Sequence, residues 1–185
     1  MSTNAGTYTL GPDSASLKVW TGKEGKAAKA GHNLEIEVGD WSATLELGET
    51  PEDTRLSLTV GSRSLRVLAG SGGIQKLGED DKANIGKTID DEVLKGGEIA
   101  FHSTGVHGIE GTHDLHVHGD LNLLGRTAPV AFTLAIDDDG SVNGEVLIKQ
   151  SDFRMEPYSA LFGTLKVKDE VRLTVVGKLP AAHPL

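Results

Sequence analysis

No cysteine occurs among the 185 residues of this chain. Disulfides, thiolate metal sites and cysteine nucleophiles are thereby excluded, and the composition fits a reducing compartment. Positive charge is also scarce: 18 Lys and Arg stand against 27 Asp and Glu, for a net charge of -9. That balance opposes the phosphate neutralisation on which nucleic-acid binding depends, so no DNA or RNA partner is expected. No segment approaches the roughly eighteen unbroken apolar residues of a helical membrane span, while transient contact with a membrane surface stays open. The opening Met1-Ser2-Thr3-Asn4-Ala5-Gly6-Thr7 has neither a basic region nor the apolar run of a secretory signal, and the expected location is cytoplasmic.

What the chain does have is glycine, 24 residues of it, placed between short alternating runs. The length suits one domain, expected over 7–180 between flexible ends at 1–6 and 181–185, burying roughly 70% of its unfolded surface. Val19 and Trp20 close a first strand, and Gly22 to Gly31 reads as a flexible loop bearing Lys23, Lys26 and Lys29. Leu34, Ile36 and Val38 alternate with polar residues, as do Trp41, Ala43, Leu45 and Leu47, and Gly39-Asp40 between them suits a tight hairpin. Leu56, Leu58 and Val60 keep the period, and Leu65, Val67 and Leu68 form a brief strand before the loop Gly70-Ser71-Gly72-Gly73.

One segment breaks the period of two. Ile85, Ile89 and Val93 are spaced by four, with Asp80 or Asp81 able to cap the first turn, which predicts an amphipathic helix ending at Gly96-Gly97. Strands resume at 98–106, 112–124, 127–137 and 142–150, with turns at Gly125-Arg126 and Asp139-Gly140, and a last strand runs over 169–179.

The link 151–163 is too apolar for an ordinary surface loop, since Phe153, Met155, Tyr158, Leu161 and Phe162 would face water. Pro157 fits the first position of a short helix that places Tyr158, Leu161 and Phe162 on one face, so the link is expected to plug the mouth of a β structure. About eight strands with one apolar face each, joined mainly by hairpins, need closure to remove their edges. The expected fold is therefore mainly β: a single antiparallel barrel of about eight strands, with one amphipathic helix and a short plug helix, able to enclose one small ligand.

The order of Tyr8-Thr9-Leu10, Asp13-Ser14, Ser64-Leu65, the helix from Asp80 to Leu94, Ile99-Ala100-Phe101-His102-Ser103, the run from Gly119 to Val130 and Ser151-Asp152-Phe153 resembles the YceI-like family. The resemblance spans Tyr8 to Leu179. It implies an extended lipocalin-like antiparallel barrel with a helical element, whose characterised members hold a long polyisoprenoid or similar amphiphile. No signal peptide is expected on this chain, unlike on secreted members, and Gly22 to Gly31 replaces the usual aromatic and histidine pattern of those members.

Histidine is the strongest catalytic signal, with His102, His107, His113, His116 and His118 close together. Leu115, Val117, Leu121 and Leu123 take the opposite strand face, so His116 and His118 are read as outward beside Asp120 and Asn122, on an open face without the supporting shell of a metal site. Gly86-Lys87-Thr88 is no phosphate loop, because Asp81 stands where the first glycine is required. Gly70-Ser71-Gly72-Gly73-Ile74-Gln75 lacks the third glycine of a dinucleotide loop. The expected function is non-enzymatic storage, transport or sequestration of an isoprenoid-like or fatty amphiphile, with no cofactor and no metal. Leu34, Ile36, Phe101, Leu121, Phe132, Phe153, Tyr158 and Phe162 are the expected ligand contacts. The alternatives are a metal-dependent hydrolase or stress enzyme using His102, His113, His116 and His118, and a partner-binding barrel with a packed interior. A homodimer stays open.

Overall fold

A computed structural model describes residues 5–181 of the chain. The strands are β1 Gly6–Leu10, β2 Ala15–Thr21, β3 Lys23–Glu24, β4 Asn33–Val38, β5 Trp41–Leu47, β6 Arg55–Val60 and β7 Leu65–Ser71. Helix α1, Glu79–Thr88, follows, and then β8 Ile99–Gly108, β9 Asp114–Leu123, β10 Arg126–Ile136, β11 Ser141–Lys149, β12 Ser159–Ala160, β13 Leu165–Val167 and β14 Glu170–Lys178. Strand β1 begins one residue inside the segment read as a flexible N-terminus; 1–4 and 182–185 lie outside the described residues.

One large antiparallel sheet holds eleven strands in the order β1-β5-β6-β8-β9-β10-β11-β14-β2-β4-β7. From β2 the pairings run through β14, β11, β10, β9, β8 and β6 to β5. Strand β5 in turn pairs with β1, which residues 11–14 join back to β2. The sheet therefore curls into a barrel, and the apolar half of each alternating strand faces the interior. Tyr8, Leu45, Val106, Val117 and Ile136 are among its buried core residues.

The count is eleven rather than about eight because three long strands are bent. β1 and β2 are two arms of one path that pair with β5 and β4 respectively. The expected hairpin at Gly39-Asp40 is another such corner: β4 and β5 do not pair with each other, but with β7 and β6. Neither Gly39 nor Asp40 has the positive φ that a two-residue hairpin turn needs. The corner is stitched instead to residues 61–64 opposite, through Gly39 N–H to Ser64 O and Gly61 N–H to Asp40 O, each at 2.9 Å. A true two-residue turn does occur one position before the expected Gly125-Arg126, at Leu124 and Gly125, with φ of 55° and 79°.

Helix α1 starts as the sequence implies, with Asp81 accepting the Gly78 N–H at 2.9 Å. Beyond Thr88 it widens into a π-helical turn over Ile89–Leu94 and ends on left-handed Lys95 and Gly96. A spacing of four exceeds the α-helical repeat, so the wider turn keeps Ile89 and Val93 in line with Ile85.

The plug helix expected from Pro157 does not form. Ser159–Ala160 are extended and pair with β13 as one side of a small three-stranded sheet, β12-β13-β3. Leu161, Phe162 and Gly163 then take φ of 50°, 54° and 80°, a left-handed turn that no right-handed helix can contain. Thr164 closes it by donating its N–H and its hydroxyl to Leu161 O, at 3.2 and 2.6 Å. Tyr158, Leu161 and Phe162 consequently share no helical face. The segment 22–31 also differs from a free lysine loop. It contributes β3 and a short 3-10 turn at Ala28–Ala30, and Lys23 Nζ donates to Gly31 O at 2.7 Å and to Gly72 O.

Candidate functional site: an apolar cavity inside the barrel

Alternation on each strand sends aliphatic side chains inward, and at one end of the barrel they do not meet. They leave a cavity of about 490 Å³, within the ordinary range of small-molecule sites. Its walls are Leu17 and Val19 from β2, Leu34, Ile36 and Val38 from β4, Leu58 and Val60 from β6, and Val171 and Leu173 from β14. Ile85, Ile89 and Val93 of the helical segment cover one side, and Met155, Tyr158, Leu165 and Val167 another. A second cavity of about 130 Å³ adjoins it, lined by Trp41, Leu56, Phe101, Val130, Phe132 and Val146 among others. Leu17, Leu58, Leu121, Ile148 and Leu173 border both, so these five side chains form a partition between them.

Polar groups reach the large cavity from Thr21, Lys23, His32, Asn84, Thr88, Gln150 and Lys166. Several are already committed to the fold. Thr21 Oγ1 accepts the Leu34 N–H at 3.3 Å, His32 Nε2 donates to Gln75 O at 2.5 Å, and buried Gln150 donates from Nε2 to Lys168 O at 3.0 Å. The result is an aliphatic depth with a polar margin, a gradient that matches a molecule with one long apolar part and one polar end.

Of the expected contacts, Leu34 and Ile36 line the large cavity, Leu121 stands in the partition, and Tyr158 sits at the margin, 39% exposed. Phe101 and Phe132 line the smaller cavity, with ring centroids 5.6 Å apart. Two positions need correction. Phe153 is 2% exposed and packs into the core without bordering either cavity, because the 3-10 turn Gln150–Phe153 folds it beneath the sheet before left-handed Arg154. Phe162 borders neither cavity and is fully exposed, held outward by the left-handed turn. Sequence reading missed Ile85, Ile89 and Val93 as cavity residues, although their spacing by four marked an apolar face that had to cover something. Leu165 and Val167 were missed as well, in a run too short to register as a strand.

Asp169 ties the turn after β11 to the start of β14. Its carboxylate accepts the Ser151 hydroxyl at 2.5 Å and the Ser151 N–H at 2.8 Å. Those two bonds, the side-chain one first, hold its pKa below the ordinary 3.8.

The histidines do not assemble into one site. His116 and His118 contact edge to face on the outer surface of β9, centroids 4.5 Å apart, and His107 lies 5.9 Å from His118. His102 faces Asp120 at 3.9 Å, and His113 lies 3.2 Å from Asp138. Among the described residues no group of three or more His, Asp or Glu side chains is placed to hold a metal ion. The two cavities are at odds with a fully packed interior. No helix among the described residues is long and apolar enough to cross a membrane.

No curated protein matches the chain. Among solved structures, Burkholderia cenocepacia BcnA is similar at 14% identity, with 88% of this chain and 94% of that chain covered and a TM-score of 0.64. A Campylobacter jejuni YCEI protein is similar at 15% identity, with coverages of 81% and 85% and a TM-score of 0.54. These likenesses establish a shared fold. The model of the YceI-like domain matches residues 8–179, nearly the whole barrel together with its helix and the small sheet at its mouth, and the chain belongs to the YceI-like family.

Proposed function

We propose that this protein is a non-catalytic carrier that stores, transports or sequesters an isoprenoid-like or fatty amphiphile inside its barrel. The observation that carries the reading is the aliphatic cavity of about 490 Å³, open at a margin of polar side chains. Binding would come from burial: each methylene withdrawn from water contributes about 0.8 kcal/mol. A micromolar complex corresponds to about 8 kcal/mol, so roughly ten buried methylenes match it before ordering costs are counted. Such a chain would lie along Ile36, Val60, Ile89 and Leu173, with its polar end near Asn84, Lys166 and the margin. No nucleophile, general base or metal is needed for this mechanism. Native mass spectrometry of protein purified from its own host tests the reading. A co-purifying lipid mass, displaced by an added fatty chain, is the expected result. Repeated recovery of ligand-free protein that also takes up no fatty or prenyl probe would refute it.

A further inference from the structure

The cavity margin carries a pattern that ligand burial does not explain. Segments 22–31, 71–78 and 158–168 meet there, joined by the pairing of β3 and β12 with β13. Ala27 N–H also bonds Thr164 O at 2.9 Å, and Ile74 N–H bonds Lys29 O at 3.2 Å. Gly25, at φ +103°, permits this approach, since a Cβ there would lie 2.2 Å from Thr164 O. From the rim so formed, apolar side chains project into water: Phe162 fully, Ile74 at 78% and Leu161 at 54%. Two of them sit on left-handed backbone, with φ of 50° for Leu161 and 54° for Phe162, a conformation disfavoured for such residues and ordinarily left to glycine or asparagine. The fold accepts strain at this turn while leaving its largest side chain unpacked. Charge follows the same boundary: the three segments hold six lysines (23, 26, 29, 76, 166 and 168) and one carboxylate, Glu24, in a chain of net charge -9. Carboxylates resume directly outside these segments in the chain, at Glu79 to Asp81, Glu156, Asp169 and Glu170.

We propose that the rim docks on an anionic lipid bilayer, with Phe162, Leu161 and Ile74 entering the interface and Lys26, Lys29 and Lys76 facing the headgroups. The apolar groups protrude singly from loop tips instead of lining a groove, which suits a lipid interface and not the surface of an acidic protein. Docked this way, the cavity opens toward the bilayer, so an apolar ligand enters or leaves without crossing water. Only that exchange step rests on the carrier reading; docking stands on the rim alone.

Co-sedimentation of the intact protein with vesicles tests it. Binding is expected to equimolar phosphatidylcholine and phosphatidylglycerol, to be weaker on phosphatidylcholine alone, and to fall with added salt. Lys26→Glu and Lys29→Glu should each weaken it about fivefold or more, and Phe162→Ser about tenfold. Thermal unfolding should not change, because Phe162 packs against nothing. A dansylated fatty acid, titrated without vesicles, should bind the intact protein and the Phe162→Ser variant equally. Absence of binding to the mixed vesicles, or a Phe162→Ser variant that binds them as tightly as the intact protein, overturns the proposal. Vesicle binding without probe uptake would leave docking standing and remove the carrier reading.

Discussion

Leu58→Ala tests how the two cavities are divided. Leu58 lies on β6 opposite Ala43 and Phe101, and it is one of the five side chains that stand between the cavities of about 490 and 130 Å³. It is only half-buried in the interior of the barrel, because part of its surface already faces open space. Truncation therefore removes fewer contacts than it would in a close-packed core, and the cost should sit at the low end of the leucine-to-alanine range, about 2 kcal/mol. The cavities should merge. A chain that formerly stopped at the partition can extend toward Phe101 and Phe132, and each extra buried methylene contributes about 0.8 kcal/mol, close to fourfold in affinity. A homologous series of saturated fatty acids, assayed by displacement of a fluorescent chain, should show its optimum move to longer members in the Leu58→Ala protein. An unchanged length optimum in a folded, less stable variant would refute the partition and the placing of the chain along it.

Phe153→Ala should lower stability by about 3 kcal/mol or more, since the ring is buried in the core; a urea titration checks it, and the same change should leave the length optimum of the fatty series where it was. Replacing His116 and His118 together with glutamine should move stability by less than about 0.5 kcal/mol, as changes on an outer sheet face do, and equilibrium dialysis should find no stoichiometric zinc in either protein. Asp169 has a folded-state pKa below its ordinary value through the two Ser151 bonds, so its contribution is present above the unfolded-state value and is lost as pH falls through the folded one. Asp169→Asn should accordingly flatten the acid side of the stability profile measured by unfolding from neutral pH downward, and a profile parallel to that of the unaltered protein would remove this role.

The strands were legible because burial on one face imposes a period of two, and Leu34-Ile36-Val38 or Leu115-Val117 carry it without ambiguity. The corners were not. A glycine followed by a polar residue serves equally at a hairpin and at a bend, and only φ at Gly39 and the partners opposite separate the two. The mouth was misread for a related reason: Tyr158, Leu161 and Phe162 happen to fall at helical spacing, while the pairing of Ser159 and Ala160 with β13 depends on residues later in the chain. The aliphatic wall at Leu34, Ile36 and Leu121 could be inferred from strand parity, whereas the empty space cannot be read from any local pattern. It depends on how far the curled sheet and the helix over Ile85, Ile89 and Val93 keep facing side chains apart.

Methyl-labelled protein in complex with a saturated fatty acid offers the most direct measurement of where an apolar chain resides. Intermolecular nuclear Overhauser effects should connect the acyl chain to the methyl groups of Ile36, Leu121 and Ile89, which line the large cavity from three different elements. Effects confined to exposed Leu161 and Ile74, with none to those three interior residues, would place the chain outside the barrel and contradict the account.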